Sequence, residues 1–293
     1  FLKNHFLIQS EAQINKIREL GTKGIQIDLS KSHPVETPSA GEPQVLSASE
    51  RQKSAQKVAT DDLIATIHDE SLPPREKSQL VSQHSITMMK SLLENPTTQN
   101  MKEAQKGISE VVRLILADDE TLHYLLGITS HDYYTYSHSV SVGVLGIALA
   151  KSLFKDSTNH DMRALGMGFF LHDVGKVGID PSIITKPGKL TSEEMQEMRR
   201  HPLLGYKLLH ETKQLTEEAK TIVLQHHERA DGSGYPQGLR GGDIHVYGRI
   251  CSIADVYDAL TSDRPYRKKM PPFAAFKIMQ DEMIHHFQKD LFQ

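Results

Sequence analysis

Beyond about Ala59 the apolar residues recur at helical spacing: Leu80, Ile86, Met89 and Leu93 make one stripe, and Ile108, Val111, Val112 and Ile115 another. Strand-type alternation is absent from this part of the chain, so a mostly α-helical body is expected. Pro73-Pro74, Asn95-Pro96, Pro187-Gly188, Pro202 and Pro271-Pro272 divide it into helices of ordinary length. The N-terminal residues follow a different pattern. Phe6-Leu7-Ile8 predicts a short strand, Ser10-Glu11 opens a helix carried by Ile14, Ile17 and Leu20, and Gly21 and Gly24 stop it before a second alternating segment, Ile25 to Leu29. From Ser32 to about Gln56, Pro34, Pro38 and Pro43 sit among Ser, Glu, Gly and Gln with hardly a large apolar residue, which buries too little surface to hold a fold. The expected organisation is a small α/β module over residues 1–31, a flexible linker over 32–58, and an all-helical domain over 59–293.

Composition refines this picture. With 38% hydrophobic and 24% charged residues and a mean hydropathy of -0.42, the chain is of globular type. No run of about 18 apolar residues stands out, so no membrane span is expected. Thirty-four Lys and Arg against 37 Asp and Glu give a net charge of -3 without a long basic run, which argues against binding polymeric nucleic acid. The single cysteine, Cys251, excludes an internal disulfide and, with no charged-then-apolar leader, points to a cytoplasmic protein. The unusual number is 16 histidines.

Several of these histidines fall on the inward side of apolar helices, where an imidazole needs a partner. His138 accompanies the stripe Val140, Val144, Ile147 and Ala148. Leu165 and Phe169 set an apolar face that, carried on by three and four residues, reaches His172 and Asp173. Ala219, Ile222 and Val223 lead to His226, followed by His227 and Glu228. His201 precedes Pro202 at a helix start, and Asp255 and Asp258 share the helix Ile250 to Thr261. The His-Asp dipeptide alone carries little weight, because it occurs three times, at His131, His160 and His172. Several histidines and carboxylates in one helical body, at unlike spacings, suit two adjacent divalent ions with an Asp bridging them. On spacing alone, Asp255 and Asp258 are equivalent.

His172-Asp173-Val174-Gly175-Lys176, Lys186-Pro187-Gly188-Lys189-Leu190, His201-Pro202, His226-His227-Glu228, Asp231-Gly232-Ser233-Gly234-Tyr235-Pro236 and the run Ala254 to Arg267 resemble, in order, the signature of HD-GYP domains. The likeness extends from about Tyr134 to near the C-terminus, so the metal core is expected from about residue 134. It implies an all-helical member of the HD metal-dependent phosphohydrolases that hydrolyses the bacterial signalling molecule cyclic di-GMP. The N-terminal segment is similar, more weakly, to a small module often found before such domains. Carried over position by position, the family's metal ligands fall on His138, His172, Asp173, His201, His226, His227 and Asp255, with Asp173 as bridge. Asp173 and Lys176 are the implied catalytic pair, and Lys176, Tyr235, Arg264 and Arg267 the implied substrate contacts. One branch of the family carries a Glu four residues before its first His, where this chain has Tyr134, so two metal ions rather than three are expected, with Fe or Mn suggested by the resemblance.

The resulting expectation is a cyclic di-GMP phosphodiesterase with a two-metal centre, releasing linear pGpG and, on further cleavage, GMP. Two alternatives stand beside it: an HD-type phosphohydrolase for another nucleotide, and a catalytically slow cyclic di-GMP sensor. A protein partner would be met through the N-terminal module or the Gly-Tyr-Pro loop.

Overall fold

A computed structural model describes residues 60–128, 135–155, 157–263 and 268–287. The expected N-terminal strands, helix and linker lie outside these residues, as do Tyr134, Arg264 and Arg267. Residues 60–68 are helical. Eleven further helices follow: α1 (Pro74–Glu94), α2 (Thr98–Ala117), α3 (Asp119–Gly127), α4 (Thr135–Phe154), α5 (Met162–Phe170), α6 (Pro181–Ile184), α7 (Ser192–Met198), α8 (His201–Glu211), α9 (Glu217–Gln225), α10 (Val246–Thr261) and α11 (Pro272–Asp281). Short 3-10 turns cover Val174–Gly178, Gly241–Asp243 and Ile284–His286, and no strand occurs among the described residues.

The helix starts are set by short polar side chains that satisfy otherwise unpaired backbone amides. Thr97 accepts from Asn100 N, Asp118 from Thr121 N and Thr216 from Ala219 N, while Thr191 and Glu194 close a reciprocal capping box on α7. Asp161 Oδ1 accepts from the amides of Arg163 and Ala164, so the dipeptide His160-Asp161 is accounted for by helix capping. Its histidine stacks on Phe154, with ring centroids 3.7 Å apart. His131-Asp132 lies outside the described residues.

Helix α5 is the centre of the core. Its residues Ala164 to Phe170 are all buried, and it packs against α2, α4 and α9. Phe169 and Phe170 are fully buried, each contributing on the order of 1.5–3 kcal/mol. Their rings lie where β-carbons on Gly146 and Gly143 of α4 would be, so the two glycines let α4 and α5 meet closely. Helix α4 is long and apolar enough to cross a bilayer by length and composition alone, yet 56% of that window is buried. It is the one such helix among the described residues.

Two expectations are corrected. The inward stripe of α1 is Val81, Ser85, Met88, Met89 and Leu92, so Leu80, Ile86 and Leu93 flank the buried face and only Met89 lies on it. The small buried Ser85 hides the true stripe from a reading based on large apolar residues. Helix α5 ends at Phe170, so His172 and Asp173 sit on the turn beyond it. That turn aims both side chains into the space between α4, α8, α9 and α10.

Candidate metal centre

Five elements converge on Asp173. Its carboxylate is buried, and its two oxygens face different groups of imidazoles. Oδ2 lies 3.4 Å from His172 Nε2 and 3.6 Å from His138 Nε2. Oδ1 lies 3.3 Å from His201 Nε2 and 3.8 Å from His226 Nε2. Two groups of ligand-type atoms therefore share one carboxylate: His138, His172 and Asp173 on one side, and Asp173, His201, His226 and His227 on the other. Asp255 joins the rim between them, its Oδ1 3.2 Å from His138 Nε2 and its Oδ2 3.7 Å from His227 Nδ1.

The protonation pattern follows from what each outer nitrogen touches. A backbone carbonyl only accepts, so His172 Nδ1 donates to Phe169 O at 2.9 Å, His201 Nδ1 to Met198 O at 2.8 Å and His226 Nδ1 to Val223 O at 2.9 Å. Burial favours the neutral ring: it lowers His172 and pushes His201 down to about 3. The inward Nε2 atoms of His172 and His201 therefore carry lone pairs. His201 Nε2 faces His226 Nε2 at 3.2 Å. His172 Nε2 and Asp173 Oδ1 are buried without a hydrogen-bond partner. Inward imidazole nitrogens crowded around a carboxylate oxygen with no hydrogen-bond donor of its own are a repulsive arrangement unless cations lie between them, and imidazoles with carboxylates suit divalent transition ions. The residues fit a metal centre on these grounds.

His138 is oriented by the carboxylate that sequence spacing could not distinguish from its neighbour. Asp258 Oδ2 sits 2.7 Å from His138 Nδ1, on the side of the ring away from the centre, whereas Asp255 faces the inward Nε2. Asp258 thus holds the ring and its tautomer, leaving Asp255 as the ligand-type partner. Asp258→Asn is expected to weaken metal retention by about 10–100-fold while the fold persists; metal titration of the two proteins checks it, and unchanged affinity would deny Asp258 this role.

Burial also pushes His227 well below the usual imidazole range. Burial alone would raise Asp173, yet the neighbouring Lys176 ammonium and His172 hold its carboxyl well below the usual carboxylate range. In the unfolded chain the imidazoles take up protons near pH 6.5, whereas the folded chain keeps His201 neutral down to about pH 3. Across that window the unfolded state binds more protons, so the metal-free fold loses stability as pH falls below about 6.5. Thermal unfolding of chelator-treated protein is expected at a lower midpoint near pH 5 than near pH 7.5. An equal or higher midpoint at the acid pH would contradict the neutral imidazoles.

Lys176, at the 3-10 turn after Asp173, places Nζ 2.5 Å from Asp173 Oδ2. It therefore neutralises the shared carboxylate directly. Tyr235 packs its ring on His227, with centroids 4.6 Å apart and planes 30° apart, and the Arg199 guanidinium carbon lies 5.2 Å from the Tyr235 centroid. Burial raises its phenol above the usual value.

Glu228 had no role in the sequence reading. It is buried, and its carboxylate accepts from Gln237 N at 2.7 Å and Leu239 N at 2.9 Å, tying the glycine-rich loop back beside His226 and His227. Only the loop's return path shows what this carboxylate holds.

Fold and site together define a helical domain built around a cluster of histidines and aspartates that could bind metal. Residues 128–291 match the family model described as HD domain, and the chain belongs to that family. Residues 1–117 match a second model, a domain of unknown function designated DUF3391. A Pseudomonas aeruginosa protein named a cyclic di-GMP phosphodiesterase is 33% identical over 290 residues, covering 98% of this chain and 67% of its own length. A Vibrio cholerae protein named 3′3′-cGAMP-specific phosphodiesterase 2 is 45% identical over 125 residues, covering 41% of this chain and 23% of its own. A solved structure described as an HDG"Y"P protein from Bdellovibrio bacteriovorus superposes with a TM-score of 0.68 over 83% of this chain and 78% of that one, at 20% identity, a likeness of fold.

Proposed function

We propose that this chain is a metal-dependent phosphodiesterase that opens a 3′-5′ phosphodiester of cyclic di-GMP to give linear pGpG, with GMP as the product of further cleavage. The observation that carries the reading is Asp173, whose two oxygens face two separate groups of inward lone pairs. Divalent ions bound there, two in number and Fe or Mn in kind, would polarise a phosphoryl oxygen and lower the pKa of an attacking water. His138, His172, Asp173, His201, His226, His227 and Asp255 are the proposed ligands.

The chain's own residues do the rest. Lys176, already poised on Asp173 Oδ2, is close enough to the shared carboxylate to neutralise charge growing on the phosphoryl oxygens. Tyr235, stacked on His227, forms one wall beside the centre and offers a ring face to a guanine. Arg264 and Arg267, outside the described residues, complete the proposal as phosphate or guanine contacts, since a planar guanidinium suits either. The reading keeps residues 1–31 as a separate module joined through 32–58 to the catalytic domain over 59–293, a protein partner meeting the module or the Gly-Tyr-Pro loop, and a cytoplasmic site of action.

The name of the Vibrio cholerae relative brings a second reading, hydrolysis of a mixed guanine and adenine cyclic dinucleotide by the same centre. Parallel turnover of cyclic di-GMP and 3′3′-cGAMP, followed by chromatography of the products, separates the two. Faster cleavage of cyclic di-GMP to pGpG is expected; cleavage of 3′3′-cGAMP alone would favour the second reading, and cleavage of neither would reject both.

A further inference from the structure

Apart from the buried centre, one more cluster of metal-ligating side chains occurs among the described residues. Asp231 belongs to the glycine-rich loop, and His285 and His286 belong to the 3-10 turn Ile284–His286; together they bring a carboxylate oxygen and two ring nitrogens within 4.8 Å of one another. Asp231 Oδ2 lies 3.9 Å from Nε2 of each imidazole. The other oxygen, Oδ1, accepts from Ser233 N at 2.8 Å, which fixes the carboxylate and leaves Oδ2 turned to the histidines. The two segments are already joined at the backbone, where Ala230 N donates to His286 O at 2.9 Å.

The surroundings favour neutral imidazole at one of the two positions. Burial and the adjacent Arg229 lower His286, whose Nδ1 is buried without a hydrogen-bond partner. Arg229 Nη1 lies 3.5 Å from His286 Nε2, too long and weak a contact to hold that nitrogen against a better partner. Arg229 is the cation an incoming ion would displace, and Asp231 is the counter-charge. His285 is more than half exposed, so its ring can swing towards Asp231.

We propose that Asp231, His285 and His286 form a surface site for a divalent transition ion of the zinc class, distinct from the buried centre, and that occupancy ties the glycine-rich loop to the C-terminal turn. Two nitrogens and one carboxylate oxygen leave a fourth position for water, a donor set that suits zinc and disfavours magnesium or calcium. Metal–ligand bonds of about 2.0–2.2 Å place tetrahedral ligand atoms roughly 3.4 Å apart, so a spacing of 3.9 Å closes by about half an ångström on binding. Asp231 lies four positions before Tyr235, so an ion held there would restrain the segment that stacks on His227.

The test uses the full chain equilibrated with Zn²⁺, dialysed, and measured by elemental analysis. Wild type is expected to hold one ion per chain more than His285→Ala, and Asp231→Asn to weaken zinc binding at that site by at least about tenfold. Both proteins in the first comparison have the same buried centre, so the one-ion difference stands whatever number of ions that centre holds. Amide hydrogen exchange over residues 229–242 is expected to slow on adding Zn²⁺ to wild type and to be indifferent to it in His285→Ala. Equal zinc content in the two proteins would overturn the site. A one-ion difference with no added protection of the loop would overturn the tie.

Discussion

Asp173→Ala is expected to lose metal ions and hydrolysis together, whereas Lys176→Ala keeps the ions and loses mainly turnover. Asp173 is the fully buried carboxylate between the two imidazole groups, with His172 and His138 on one oxygen and His201 and His226 on the other. Removing it takes the shared anion out of a buried ring of lone pairs, and a fall in turnover of about 10³-fold or more follows. Lys176 touches the same carboxylate only from one side, at Oδ2. Its loss leaves all seven proposed ligands in place and costs turnover about 10²–10³-fold through missing charge stabilisation. Elemental analysis beside a hydrolysis assay distinguishes the two variants. Equal metal loss in both would make Lys176 a support of the cage rather than a contact for substrate.

Gly175→Ala is expected to destabilise the fold by about 3 kcal/mol or more and to displace His201. A β-carbon there would overlap the carbonyl oxygen of His201 and the backbone of Gly205. Both obstacles are backbone, so no side chain can swing aside to make room. The turn after Asp173 and the first turn of α8 are pressed together at this point, and that close approach holds His201 Nε2 3.3 Å from Asp173 Oδ1. Denaturant unfolding and metal titration of the variant check both effects. A variant with wild-type stability and wild-type metal affinity would mean that the two turns can separate without cost.

These two cases also show how far the sequence reveals the centre and where it stops. His138, His172 and His226 are legible because each lies in line with an apolar stripe that carries it inward, and an inward imidazole needs a partner, whereas His201 is marked only by its place before Pro202 at a helix start. The difference between Asp255 and Asp258 is not legible from spacing, because three residues apart on one helix both face the same way, and the choice of Asp255 rests on the resemblance. The position of the His138 ring, with one carboxylate on each of its nitrogens, adds what Asp258 touches instead. The end of α5 at Phe170 escapes a periodic reading because Leu171, His172 and Asp173 continue the apolar and polar spacing after the hydrogen-bond ladder has stopped. Gly248 acquires a reason only in three dimensions: a β-carbon there would press on Gln225, whose amide oxygen accepts from His245 N at 2.8 Å. Glu228 belongs to the same class, since its partners Gln237 and Leu239 reach it across a loop whose path the sequence does not predict.

On the proposed reading, inward lone pairs shared around Asp173 hold metal ions that act on a cyclic dinucleotide. That reading is tested most directly on one sample of the full chain, purified without chelator and divided between elemental analysis and a cyclic di-GMP turnover assay, before and after chelation. Two transition ions per chain in the buried centre, counted in His285→Ala to leave the surface cluster out, are expected, with pGpG formation lost on chelation and restored by adding the metal back. Turnover that survives complete removal of metal, or protein that binds no metal at all, would contradict it.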